Sequence, residues 1–115
     1  MLLIRIGVKE QDIAVIDISK HAEKQNDEDE IYRLVCAGVS AVAVGLCNAI
    51  DVLAQEQCNI DFVSDEDDPG QLNHITIVVK KNSLDLQGIL KVGEIQLRTC
   101  AESYQNYIDF KITEV

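Results

Sequence analysis

Residues 35–50, VCAGVSAVAVGLCNAI, decide how the rest of the chain can fold. Val35, Val39, Val42, Leu46, Ile50 and Leu53 recur at steps of three and four, which is one face of an amphipathic helix. Ala37, Gly38, Ala41, Ala43 and Gly45 keep that helix slim, so that a neighbour can approach its backbone. Gly38 and Gly45 each cost about 1 kcal/mol of helix stability relative to alanine, and close packing is the expected return. The low-charge run Leu34–Ile50 falls short of the ~20 residues that span a bilayer, so a helix buried in a globular core is expected.

Working outward, Leu2–Val8 reads as a strand, Lys9–Asp12 as a polar turn and Ile13–Ser19 as the second strand of a hairpin. Residues 23–30, EKQNDEDE, must face water and read as a solvated loop. After the helix, Asn59–Val63 is a short strand, and SDEDDPG over residues 64–70 is a turn. His74–Val79, HITIVV, is the clearest strand in the chain. Leu84–Cys100 is a second helix with Leu86, Ile89, Leu90 and Leu97 among its apolar positions and Gly88 and Gly93 as soft points. Tyr107–Ile112, YIDFKI, alternates and returns as a last strand. The order strand, strand, helix, strand, strand, helix, strand predicts one α+β domain over residues 1–115. Its two helices are expected on one face of a mixed or antiparallel sheet.

Composition narrows the function classes. The 115 residues are 47% hydrophobic and 26% charged, the profile of a folded globular domain. Twenty acids against ten bases leave a net charge of -10, which repels phosphate backbones and anionic lipid. Neither nucleic acid nor membrane is an expected partner; a basic one suits the charge. The opening MLLIRIGV carries Arg5 and no small-residue cleavage site, so no signal peptide is read, and a cytoplasmic location with reduced thiols is expected. Cys36, Cys47, Cys58 and Cys100 lie 11, 11 and 42 residues apart, without the close pairs of a zinc site. No metal and no cofactor are expected.

The candidate chemistry centres on His21 and Cys36. An imidazole beside a thiol can take its proton or stabilise the thiolate, and a helix N-terminus adds to that stabilisation. Ser40, one turn after Cys36, shares its helix face and can support the site by hydrogen bonding. The plainer reading is a buried small hydrophobe at Cys36 and an incidental strand-end histidine at His21. Cys47 reads as core, Cys58 and Cys100 as partly exposed thiols at element ends, and His74 as a satisfied structural histidine.

His21-Ala22, the acid-rich loop and the Val35–Ile50 segment together resemble the ribosomal-processing cysteine protease (Prp) family. Its members carry a glycine-histidine-alanine turn, a short loop, and valine-cysteine-alanine opening a helix with serine four residues on. The resemblance implies a homodimeric cysteine endopeptidase that removes the N-terminal extension of the large-subunit ribosomal protein twenty-seven precursor. It also implies Cys36 as nucleophile, His21 as general base and Ser40 as a supporting residue.

Three departures stand out. Lys20 occupies the position of the family's glycine, and the His21-to-Cys36 spacing of 15 is about three longer than usual. Arg33 stands where an aspartate is usual, leaving Asp29 or Glu30 to orient the imidazole, or Arg33 itself to reinforce the thiolate. A rival reading is a non-catalytic acidic α+β dimer that binds a basic ribosomal protein or peptide. The family pattern predicts a helix start between Ile31 and Cys36, with the thiol near the first turn and helix-start amides placed to hold the developing oxyanion. The polar joining segment, with nothing apolar before Ile31 to pin it, is expected to be mobile and to leave the dyad unfinished, with an apolar cleft beside it.

Overall fold

Five strands and two helices make up the computed structural model, which describes residues 1–64 and 72–115. In chain order they are β1 (Leu2–Lys9), β2 (Asp12–Ser19), α1 (Ile31–Leu53), β3 (Cys58–Ser64), β4 (Leu72–Val79), α2 (Leu84–Ser103) and β5 (Ile108–Glu114). Every expected element is present in the expected order. The expected turn at 64–70 lies, beyond Ser64, outside the described residues.

The sheet runs β3-β4-β2-β1-β5. All pairings are antiparallel except β1 with β5, so the sheet is mixed. The β1–β2 hairpin turns through Glu10 and Gln11, both at positive φ (52° and 71°). Two such residues in succession match the right-handed twist of the flanking strands, a task usually given to Asn-Gly.

One sheet face carries Ile4, Ile6, Ile16 and Ile77, all almost fully buried beneath Val35 and Val39 of α1 and Leu86, Leu90 and Leu97 of α2. The alternation of each strand puts its isoleucines on this face and Arg5, Asp17 and Thr76 on the other. There Arg5 donates to the Asp109 backbone carbonyl at 2.7 Å and pairs with its carboxylate at 3.0 Å, tying β1 to β5.

Packing corrects three sequence expectations. Leu53, assigned to the buried helix face, is 67% exposed, because α1 ends there and the chain turns away. Ala43 and Cys47 take the buried positions between Val39 and Ile50. Gly93 is no soft point: a Cβ there would lie 2.5 Å from Leu46 Cδ2, so this glycine is where α2 and α1 touch. At Gly38 and Gly45 an added Cβ would meet nothing within 4 Å, so the slim face of α1 is unused inside the subunit.

With 23 residues, α1 is long and apolar enough by length and composition to cross a bilayer. Its Val35–Ile50 stripe is nonetheless built into the core over the sheet. Ser83 caps α2 by accepting from the Leu86 amide at 3.0 Å. Buried Gln87 accepts from Ile13 N–H and donates to Ile13 O, both at 2.8 Å, satisfying backbone groups at a sheet irregularity near Val8.

Candidate active site

The end of β2, the start of β4 and the second turn of α1 meet around a small cavity. Lys20, His21, Cys36, Ser40 and His74 line it, with Leu2, Ile18, Val39, Ala43 and Ile75 supplying apolar wall. The three residues singled out from sequence, His21, Cys36 and Ser40, therefore share one space. Cys36 and Ser40 do so because they lie one helical turn apart. His21 does so because β2 ends one residue before Lys20, which turns the chain with a left-handed φ of 63°. The cavity volume of about 20 Å³ accommodates roughly one water. A peptide-sized apolar cleft, as expected beside the loop, is not formed there among the described residues, and a peptide would have to lie across the mouth.

The helix begins at Ile31, the early limit of the expected range, and so Cys36 sits in its second turn rather than its first. The free amides of the helix start are accordingly a turn away from the thiol, beyond the main reach of the dipole. The Ile31 amide is in any case used, donating to Asp29 Oδ1 at 2.9 Å. The Cys36 thiol, half-buried, points at the Ala22 carbonyl, with Sγ 3.9 Å from the oxygen.

The segment between His21 and Cys36 is held rather than loose. Ala22 is buried, and so is Asp29, one of two buried polar side chains among the described residues. Asp29 Oδ2 accepts from the Gln25 amide at 3.0 Å and from the Tyr107 hydroxyl at 2.8 Å. Gln25 also donates through Nε2 to the Asn106 carbonyl at 3.2 Å. The segment expected to be mobile is thus fixed by a polar anchor in place of an apolar one. The Gln25 amide foremost, then the Tyr107 hydroxyl and Ile31 amide, hold the Asp29 carboxyl below its ordinary value against the opposing effect of burial. Bonding to Asp29, with burial and the nearby charge, pushes the Tyr107 phenol up.

Neither acid proposed as an orienter of His21 is available for it. Asp29 serves the loop, and Glu30 is exposed, with Arg33 4.0 Å away. Arg33 itself points to solvent, donates to the Tyr32 hydroxyl at 3.0 Å and lies over its ring at 5.6 Å, so it does not reinforce the thiolate. Among the described residues no carboxylate lines the cavity, and Lys20 is its one permanently charged cation. His74 bonds to Asp17 and, at 3.1 Å, to Thr76, as a structural histidine would.

The remaining thiols lie outside the cavity. Burial, with a smaller effect of Cys58, pushes Cys47 up to about 11, and burial raises Cys58 and Cys100. These three are protonated core or core-edge groups. No group of three or more metal-ligating side chains occurs among the described residues.

Sequence reasoning missed the Asp29–Tyr107 anchor, which joins residues 78 apart and leaves no local pattern. It also missed the left-handed Lys20, although the glycine expected there was a signal for positive φ.

Residues 1–109 match the family model described as cysteine protease Prp. The S. aureus ribosomal processing protease Prp, solved with a covalently linked product peptide, is 27% identical with a TM-score of 0.73. That match covers 98% of this chain and 100% of the other. The same protease with a substrate peptide gives 25% identity, a TM-score of 0.73 and the same coverage. SMU.848 from Streptococcus mutans shares the fold at 18% identity and a TM-score of 0.76, over 100% of this chain and 96% of its own. No curated relative matches the chain. On the match of its family model over nearly its whole length, the chain belongs to the cysteine protease Prp family.

Proposed function

We propose that this protein is the cysteine endopeptidase that removes the N-terminal extension from the precursor of large-subunit ribosomal protein twenty-seven, working in the cytoplasm as a homodimer. The observation that carries this reading is the convergence of Cys36, His21 and Ser40 on one cavity within a Prp fold. Cys36 is the nucleophile, His21 takes its proton and returns it to the leaving amine, and Ser40 supports the thiol from one turn along α1. The net charge of -10 favours a basic substrate and repels anionic competitors. The S. aureus relative with bound peptides supports a peptide substrate.

The dimer reading draws on the exposed side of α1. Leu34, Gly38, Ala41, Gly45, Asn48 and Val52 are all exposed and alternate at steps of four and three. That is the spacing with which two helices pack along a seam, and it carries no charge. The two glycines that nothing inside the subunit touches lie on it.

A second reading, the non-catalytic acidic dimer that binds a basic ribosomal protein or peptide, is favoured by one observation. The Cys36 thiol is engaged with the Ala22 carbonyl, with Sγ 3.9 Å from the oxygen. Incubation with the precursor separates the readings. Cleavage by the wild type that disappears in Cys36→Ala and in His21→Ala, each folded by circular dichroism, supports the enzyme. A wild type that binds the precursor but leaves it intact sinks the peptidase in favour of the binding module.

A further inference from the structure

We propose that Lys20 holds the negative oxygen of the acyl group under attack by Cys36. This rests on the peptidase reading and adds a residue to its machinery. Four observations converge on Lys20. It lines the cavity that contains the thiol, immediately before His21. It does so at a φ of 63°, a conformation that costs a non-glycine residue and that glycine adopts freely. Lys20 is exposed and makes no ion pair with a described residue, while the described acids three residues to either side are engaged: Asp17 by His74 and Thr76, and Glu23 by the Met1 ammonium. Lastly, the other sources of positive field are elsewhere, since the helix-start amides lie a turn away and Arg33 is bound up with Tyr32.

The charge is needed twice in the reaction. The thiolate of Cys36 forms a bond to the carbonyl carbon, and the π electrons move onto oxygen, giving an anion. As that anion collapses, the C–N bond breaks and the amine leaves with the proton held by His21. Water then adds to the thioester, giving one proton to His21 and a second anionic oxygen. Collapse of that adduct breaks the C–S bond and returns a thiolate and a carboxylic acid, which ionises to carboxylate at neutral pH. Lys20, on a flexible four-carbon stem at the mouth, can meet the oxygen of either tetrahedral adduct and that of the product carboxylate.

The test uses Lys20→Gly, which suits the left-handed backbone and so folds, alongside Lys20→Arg. Cleavage of the precursor is followed for kcat and KM. Calorimetry, run whether or not cleavage is seen, compares the leader peptide ending in a free carboxylate with the same peptide ending in an amide. We expect Lys20→Gly to lower kcat about tenfold or more with KM little changed, and Lys20→Arg to restore most of it. The wild type should prefer the acid peptide over the amide about tenfold, and Lys20→Gly should bind the two alike. A loss in kcat alone assigns the transition-state oxyanion, and a loss of acid preference alone assigns the product carboxylate. If Lys20→Gly matches the wild type in both, or Lys20→Arg is as impaired as Lys20→Gly, the proposal is overturned. It is also overturned if the kcat loss is accounted for by a shifted pH profile of Cys36 alkylation, which would mean that Lys20 acts on the thiolate. A wild type that fails to cleave refutes the peptidase reading instead, and the acid-to-amide comparison then decides Lys20 separately.

Discussion

The Asp29 carboxyl accepts from two backbone amides and a phenol, and those bonds are strongest to its charged form. Because its folded value lies below the ordinary 3.8, its contribution is full above that pH and is lost as pH falls through the folded value. Acid titration of the folded protein, followed by Tyr107 fluorescence and by Cys36 alkylation, should therefore show the loop releasing below about pH 3.8. In Asp29→Asn that step should vanish, leaving a looser loop at every pH. An unaltered acid limb in the variant would mean that some other carboxyl governs it. At the opposite end of the scale, the raised Tyr107 value means that its share is lost as pH rises from 10 towards the folded value.

Three glycines in the two helices have separable meanings. Alanine at Gly38 or Gly45 meets open space, so each substitution should raise subunit stability by about 1 kcal/mol in urea unfolding. If the α1 seam joins two subunits, the same variants should weaken association in sedimentation at micromolar concentration. Alanine at Gly93 runs into Leu46 and should cost about 1–3 kcal/mol. Stabilisation at Gly93 would show that the helices separate readily. Elements of this kind were legible because periodicity reports burial: the helix of Val35–Ile50 and the HITIVV strand need no partner to be recognised. The Cys36–Ser40 turn was readable for the same reason. What escaped were features fixed by contacts distant in sequence. The Gln87 grip on Ile13 and the Asp29–Tyr107 bond are examples. The turn at Glu10 and Gln11 was legible in place but not in its positive φ, which the hairpin imposes on residues that do not advertise it.

For the molecule as a whole, an excess of ten negative charges acts at long range on any basic substrate. Cleavage at substrate concentrations below KM should slow several-fold between about 50 and 300 mM salt, while kcat holds, because screening weakens encounter and not chemistry. A kcat/KM independent of salt would remove charge steering from the account. The pairing of β1 with β5 has a different consequence, one of timing. It joins the first strand to a strand roughly a hundred residues later, in parallel register, and such distant pairing is slow to form. During synthesis the β1–β2 hairpin and α1 can assemble early, yet the β1 edge has no neighbour until residues 108–114 leave the ribosome. Tyr107, which holds the segment between His21 and Cys36, emerges just ahead of them. A nascent chain thus carries its nucleophile long before the anchor beside it can close, and the cysteine centre becomes ordered only after Tyr107 has emerged.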